Sequence, residues 1–214
     1  MNRILDQGHL FRIAILCALG MLIVGCASLN KAECENANWR VIGYEDGVSG
    51  HSGSRIGSHR KACAKHGIAP DMQTYNQGRE DGLKEFCRPQ RGYQEGLRGK
   101  RYGGVCSGNG EAEFLAAYNY GKKIHGVKSE IQVKQRHIRG KEEELKKLKQ
   151  HLQAKEQQLI NGNTPPEVRL SLLNESKEMS KKQGGLEAEI QELKLEIAKM
   201  EGNAEQLVAN SRYH

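Results

Sequence analysis

Hydrophobic side chains recur every seven residues through the C-terminal part of the chain. One row runs from residue 131 to residue 159, and a second row follows a break at residues 161–166. The first row is Ile131, Ile138, Leu145, Leu152 and Leu159, and the second is Leu172, Met179, Leu186, Leu193, Met200 and Leu207, with Ile190, Ile197 and Ala204 at companion positions. A seven-residue repeat sustained over several turns predicts coiled-coil helices.

The break between the two rows has the features of a short connection between antiparallel helices. Gly162 can cap the first helix, and Thr164 with Glu167 forms a capping box for the second. Residues 127–160 carry 9 basic and 5 acidic residues, whereas residues 167–210 carry 6 basic and 9 acidic residues. Because the net charges are opposite, we expect a coiled-coil hairpin over residues 123–210 with its loop at 161–166. A parallel oligomer is the alternative.

Glycines also lie within both predicted helices, between the positions of the hydrophobic rows. If the loop is centred near residue 163, Gly140 of the first helix lies opposite Gly184 and Gly185 of the second. Each glycine costs about 1 kcal/mol of helix stability relative to alanine. This arrangement predicts a bend or hinge at one level of the hairpin.

The start of the chain has the pattern of a secretory signal. Arg3 and Arg12 precede an apolar run at residues 13–24. This run is too short to span a membrane, which takes about 20 apolar residues, but it fits a cleaved hydrophobic segment. We therefore expect residues 1–25 to be a signal peptide that is removed before Cys26.

Residues 23–26 read Ile-Val-Gly-Cys and resemble the lipobox of bacterial lipoproteins. The resemblance implies that the Cys26 thiol receives diacylglycerol and that its new amino group is acylated, with palmitate as a typical acyl chain. Two or three chains anchor a protein firmly. Ala27 follows rather than an aspartate, which in Gram-negative lipoproteins implies the outer membrane, here with the protein facing the periplasm. An ordinary signal peptide is the alternative.

Four cysteines remain once Cys17 leaves with the signal and Cys26 carries lipid. They are Cys34, Cys63, Cys87 and Cys106. An even set in a small exported module predicts two disulfides. A four-cysteine zinc site is disfavoured because no two cysteines are closely spaced. Three pairings are possible, and the sequence does not choose between them. We lean toward Cys34 with Cys63 and Cys87 with Cys106, which would close loops of a few tens of residues, each contributing about 3 to 4 kcal/mol.

Glycine follows tyrosine by three residues at four places in the segment 26–122. The pairs are Tyr44 and Gly47, Tyr75 and Gly78, Tyr93 and Gly96, and Tyr118 and Gly121. This spacing puts both side chains on one helical face and favours close packing between short helices, although glycines in turns are an alternative reading. The intervals between the tyrosines are too irregular for a solenoid repeat.

A set of cysteines, aromatic residues and glycines between residues 30 and 125 carries a family resemblance. These residues are Cys34, Trp39, Gly43, Tyr44, Gly47, Cys63, Gly67, Tyr75, Gly78, Gly82, Cys87, Gly92, Tyr93, Gly96, Tyr102, Cys106, Phe114 and Tyr118. In this order they resemble the DUF2799 family of bacterial lipoproteins. The resemblance implies an envelope location and a module followed by a coiled coil. The family has no established activity to carry over.

Three histidines are the candidates for catalysis or ligand binding, namely His51, His59 and His66, with Glu45, Asp46, Glu80 and Asp81 as acidic candidates. None of them forms a known metal or nucleophile motif, so we expect structural roles for the histidines and neither an enzyme activity nor a metal or cofactor other than the lipid on Cys26. The net charge of +7 is not concentrated in a basic, aromatic-rich tract, so nucleic acid is not predicted as a partner.

These patterns together predict a mainly α-helical envelope lipoprotein with a disulfide-bonded module and a coiled-coil hairpin. We expect a scaffold or protein-interaction role, with the membrane as one partner through the lipid. The other expected partner is an envelope protein or a second copy of the chain, bound through the coiled coil. The alternative function is a small envelope hydrolase or ligand-binding protein that uses His51, His59 or His66.

Overall fold

A computed structural model describes residues 29–213, which fold into seven α-helices and no strand. The predicted signal peptide and Cys26 lie outside these residues. The chain divides into two compact units, one ending at Phe86 and the other beginning at Cys87. None of the described helices is long and apolar enough to span a membrane. The mainly α-helical fold predicted from the sequence is confirmed.

The described part of the first unit, residues 29–86, contains four short helices. They are α1 (Lys31–Glu35), α2 (Trp39–Val48), α3 (Arg55–Ala64) and α4 (Met72–Phe86). Asn30 and Glu33 form a capping box at α1, and the Asn38 side chain accepts from the backbone of α2. Asp71 accepts from the backbone N–H of Thr74 at the start of α4.

A disulfide between Cys34 and Cys63 ties α1 to α3. Both cysteines are buried in a core with Trp39, Ile56 and Tyr75. The described part of the first unit, residues 29–86, is too small to bury much apolar surface, so the covalent link replaces part of the hydrophobic stabilisation that a larger core would supply.

The second unit contains α5 (Pro89–Leu97), α6 (Glu111–Ile160) and α7 (Pro166–Ala209). Its disulfide joins Cys87, just before α5, to Cys106 in the loop that leads to α6. Both disulfides have the pairing toward which we leaned, and they exclude the four-cysteine zinc site.

Helices α6 and α7 form the predicted antiparallel hairpin. Ile131 and Ile138 of α6 pack in one buried cluster with Ile190 and Ile197 of α7. Lysines and glutamates pair across the seam as Lys134–Glu196, Lys141–Glu189, Lys149–Glu187, Lys155–Glu175, Lys182–Glu144 and Lys194–Glu142. These pairs run in opposite directions along the two helices, as an antiparallel arrangement requires.

The boundary expected between residues 122 and 123 falls inside α6, which is continuous from Glu111 to Ile160. The end of α7 also packs beside the first turns of α6. The Tyr120 hydroxyl donates to the carbonyl of Leu207 at 2.8 Å, and the Tyr213 ring contacts Tyr93 and Tyr120. Module and hairpin therefore share one helix within the second unit.

The prediction of a hinge at one level of the hairpin is wrong, because the glycines of the two helices do not lie opposite one another. The pair between Lys141 and Glu189 puts Gly140 opposite residue 190, about 9 Å along the axis from the level of Gly184 and Gly185. Both helices continue through these glycines without a break. The loop centre near residue 163 was misplaced by about two residues, which shifts the opposing position by twice that amount.

Candidate functional site

Glycines hold α2 and α4 in backbone contact within the first unit. A Cβ atom placed at Gly43 or Gly47 of α2 would overlap the carbonyl oxygen of Tyr75 or Arg79. On α4, a Cβ atom at Gly78 would overlap the carbonyl oxygen of Arg40. Residue numbers rise in the same direction along both helices, so the pair is parallel. Only glycine permits this separation between the two backbones.

The second unit contains a helix pair of the same kind. A Cβ atom at Gly96 of α5 would overlap the carbonyl oxygen of Tyr118 on α6, and one at Gly121 would overlap that of Tyr93. This pair is also parallel. It uses only the first turns of α6, and the rest of α6 forms the hairpin.

The two helix pairs correspond residue by residue. Residues of α2 match residues 49 positions later in α5, as Gly47 matches Gly96, and residues of α4 match residues 39 positions later in α6, as Gly82 matches Gly121. The equivalent contacts are Gly43–Tyr75 and Gly92–Phe114, Gly47–Arg79 and Gly96–Tyr118, Gly82–Tyr44 and Gly121–Tyr93, and Gly50–Phe86 and Gly99–His125. The chain therefore contains one helix-pair unit twice.

The ends of α2 and α5 match as well. The backbone N–H of Gly50 donates to Gly47, and that of Gly99 donates to Gly96, both at 2.9 Å. Gly50 and Gly99 have φ angles of 70° and 67°, a conformation that favours glycine. The duplication thus includes the caps and not only the packed faces.

Asp46 is a buried acid, 7% exposed, at the centre of the first helix pair. Its Oδ2 atom accepts hydrogen bonds from the Tyr75 hydroxyl and from His59 Nε2, both at 2.8 Å. Arg55 Nε lies 3.7 Å from the other carboxylate oxygen. Burial raises the pKa of the Tyr75 hydroxyl, and its hydrogen bond to Asp46 acts in the same direction. Asp46 thereby connects α2, α3 and α4.

Glu95 occupies the position of Asp46 in the second helix pair and is 6% exposed. The aromatic residue that matches Tyr75 is Phe114, which has no hydroxyl to donate. Three cations surround the carboxylate instead, with Arg91 Nε at 3.3 Å, Arg98 at 3.3 Å and Lys100 Nζ at 3.2 Å. A buried carboxylate requires such partners. Hydroxyl, imidazole and one arginine therefore surround the carboxylate in the first copy, and three cations surround it in the second.

The structure does not bring the three candidate histidines together. The His51 and His66 side chains are exposed, and only the His59 ring reaches the Asp46 carboxylate. His51 contacts Asp46 through its backbone N–H, which donates to the Asp46 carbonyl oxygen at 2.9 Å. The His59 ring lies against Trp39 and Tyr75, with ring centroids 6.4 and 6.1 Å apart. An aspartate–histidine pair can accept and return a proton, but this one also holds α3 against α2 and α4.

Metal binding gains no support from the part of the chain that the structure describes. Among residues 29–213, no group of three or more histidine, cysteine, aspartate or glutamate side chains is placed to hold a metal ion. Of the acidic candidates named from the sequence, Asp81 pairs with Arg40 and Lys84 at the surface. The role of Tyr75 beside Asp46 was missed, because nothing in its spacing from Asp46 indicates a contact.

A second apolar surface lies on α7, opposite the face that packs on α6. Leu170, Leu173 and Leu195 lie on this surface with 62%, 57% and 66% of their area exposed. At about 100° per residue, these three positions fall within a 60° sector of the helix. The same sector contains the exposed residues Lys177, Gly184, Ala188 and Gln191, and Ala198 lies about 20° outside it. We call this surface the outer face of α7.

The outer face of α7 was also missed in the sequence. Its leucines lie outside the seven-residue rows, and the sequence offered only their mutual spacing as a signal. The inner positions Leu186, Ile190 and Ile197 are buried, so the hairpin is complete without the outer leucines. The outer face is thus an apolar surface that the α6–α7 seam does not use.

The comparisons with known proteins concern the segment that contains both helix pairs. Residues 38–123 match a family model described as "Protein of unknown function (DUF2799)". This segment belongs to the DUF2799 family. The matched residues run from the start of α2 into α6, so the DUF2799 segment includes the duplicated helix pair and excludes most of the hairpin. No curated protein and no solved structure matches the chain.

Alanine at Gly78 is expected to destabilise the DUF2799 segment. The added Cβ overlaps the Arg40 carbonyl and forces α2 and α4 apart, at a cost of about 1 to 3 kcal/mol in the free energy of unfolding. Gly57 of α3 is the matched control, because a Cβ atom there meets nothing within 4 Å. Gly57→Ala should raise stability by up to about 1 kcal/mol. Urea unfolding with the disulfides intact measures both, and equal midpoints would contradict the close contact.

Tyr75→Phe tests the buried hydroxyl. Because the folded state raises the Tyr75 pKa above its ordinary value of 10.0, this group stabilises the fold fully below about pH 10 and progressively less above it. We expect the substitution to cost about 1.5 to 3 kcal/mol at neutral pH, as for a hydrogen bond to a charged group. The difference from the wild type should shrink above about pH 10. A difference that stays constant through about pH 11 would argue against the contact with Asp46.

Proposed function

We propose that this protein is an exported lipoprotein of the bacterial envelope that acts as a scaffold or protein-interaction component through the outer face of α7. In this proposal Cys26 carries the lipid and anchors the chain in the outer membrane, facing the periplasm. The disulfide-bonded DUF2799 segment and the hairpin then lie on the periplasmic side. The export pattern in residues 1–26 and the two disulfides support the location.

The observation that carries the interaction role is the exposure of Leu170, Leu173 and Leu195 on one face of a helix whose other face is already buried. Burying a leucine side chain contributes about 1.5 to 3 kcal/mol, so three on one face provide substantial binding free energy. Leu170 and Leu173 are one helical turn apart and form a small exposed apolar group, and Leu195 lies about 33 Å further along the same face. Helix faces of this kind bind other helices.

The alternative of a small envelope hydrolase or ligand-binding protein has less support. It would depend on His59, since His51 and His66 are exposed and, of the three histidine side chains, only the His59 ring bonds to the Asp46 carboxylate. Both bonds to Asp46 Oδ2 also have a structural explanation, because they connect three helices. A measured enzymatic turnover or ligand binding that His59→Ala abolishes without unfolding the protein would support this alternative function.

A photo-crosslinking amino acid placed at Leu170, Leu173 or Leu195 tests the interaction role in cells. Each position should give a discrete protein product, because all three lie on the proposed surface. Arg136, an exposed residue on the side of α6 that faces away from α7, is the control and should give none. Mass spectrometry identifies the crosslinked chain. Products with lipid alone, or with equal yield at Arg136, would overturn the proposal.

Cys26→Ser tests the anchor. Without the thiol no diacylglycerol is attached, so the variant should leave the membrane fraction in a high-salt wash while the wild type stays. Cys17→Ser is the matched control, because that cysteine lies within the segment expected to be removed, and its product should stay in membranes. A Cys26→Ser protein that still sediments with washed membranes would rule out anchoring through this residue.

A further inference from the structure

Positive charge exceeds negative charge where α5 ends. Arg98 Nη1 lies 3.3 Å and Lys100 Nζ 3.2 Å from oxygens of the Glu95 carboxylate, and Arg101 follows directly in the chain. Among the described residues, Glu95 is the one acid that contacts the side chains of Arg98 and Lys100. One carboxylate against three cations leaves an excess of two positive charges, before the contact of Arg91 with Glu95 is counted. We call Arg98, Lys100 and Arg101 the basic loop.

The basic loop has hydrogen-bond donors that face solvent. The side chains of Arg98 and Lys100 are 54% and 58% exposed, and Arg101 is exposed as well. An arginine has five N–H donors and a lysine three, whereas Glu95 can accept only a few of them. Because Glu95 already holds Arg98 and Lys100 in place, a ligand that binds them loses less side-chain entropy than it would with unconstrained cations.

The first copy of the helix pair lacks this charge. Residues 87–103 match residues 38–54 at the spacing of 49 positions that relates α2 to α5. Residues 38–54 contain one basic and two acidic residues, but residues 87–103 contain five basic residues and one acidic residue. Arg98 and Lys100 correspond to Ser49 and His51. The glycine-packed pair therefore forms without a basic loop, and the charge of the second copy needs another explanation.

We propose that the basic loop binds a phosphate group, either inorganic phosphate or a phosphate monoester, with Arg98, Lys100 and Arg101 donating to its oxygens. A phosphate monoester carries a charge of about −1.5 to −2 at pH 7, which matches the excess at the loop, whereas a carboxylate would balance only half of it. The guanidinium groups of Arg98 and Arg101 also fit the spacing of phosphate oxygens. This binding site goes beyond the interaction role of α7 and does not depend on it.

Thermal unfolding of the full-length protein in nonionic detergent, with inorganic phosphate as the probe, tests the site. The melting temperature in phosphate is compared with that in chloride at equal ionic strength. Phosphate stabilises proteins in general because it is excluded from their surfaces, so the comparison between variants decides the result. A ligand that binds the native state raises the melting temperature further, and we expect this additional rise in the wild type.

Arg98→Gln with Lys100→Gln should remove the additional rise and weaken phosphate binding at least about tenfold, because two charged donors are lost. Arg139→Gln with Lys147→Gln is the matched control. It removes the same charge from exposed positions of α6 and should respond to phosphate as the wild type does. The single variant Arg101→Gln leaves the contacts of Glu95 unchanged and should also reduce the response, which separates loss of the site from loss of the fold.

Two further probes identify the source of the phosphate group. Glycerol 3-phosphate represents a soluble monoester, and phosphatidic acid in the detergent micelle represents a lipid headgroup. A larger rise with phosphatidic acid, absent from Arg98→Gln with Lys100→Gln, supports binding of a lipid headgroup. A rise that is at least as large with glycerol 3-phosphate supports binding of a soluble compound.

Equal phosphate responses in the wild type and in Arg98→Gln with Lys100→Gln would overturn the inference. An equal loss of response in the Arg139→Gln and Lys147→Gln control would also overturn it, because the effect would then come from the total charge of the chain. None of these variants alters the outer face of α7, so neither result bears on the interaction role.

Discussion

Contact between a glycine and the carbonyl oxygen of a neighbouring helix determines how this chain folds before its hairpin. In each unit, two parallel helices approach so closely that a single Cβ atom would overlap a backbone oxygen. Glycine weakens a helix by about 1 kcal/mol relative to alanine, so helices that carry two such residues need outside support. The disulfides Cys34–Cys63 and Cys87–Cys106 supply it, since each holds the chain within the unit that the glycines pack.

Patterns that depend on one helix were readable from the sequence. The heptad rows predicted α6 and α7, and their opposite charges predicted antiparallel pairing. The cysteine count predicted two disulfides but did not choose between the three pairings. The register and the duplication were not readable. Register depends on the conformation of a few loop residues, and a small error there doubles across the hairpin. The duplication is hidden because the first helices are 49 positions apart and the second helices 39.

Local likeness was also misleading within the duplicated pair. Residues 75–78 and 118–121 read Tyr-Asn-Gln-Gly and Tyr-Asn-Tyr-Gly, yet the structure matches Tyr75 with Phe114. The likeness is displaced by one helical turn, which keeps the side chains on nearly the same face. Phe114 cannot donate a hydrogen bond, and Glu95 has three cations as partners, whereas Asp46 accepts from tyrosine and histidine and has one arginine nearby.

Helix α6 begins in a glycine-packed pair and ends at the loop of the hairpin without interruption. At 1.5 Å per residue it is about 75 Å long, and its first turns are clamped by α5 and by the end of α7. A continuous helix transmits rotation and axial load along its whole length, which a flexible linker does not. A force or rotation applied near residue 160 is therefore transmitted along α6 to the disulfide-bonded end of the second unit.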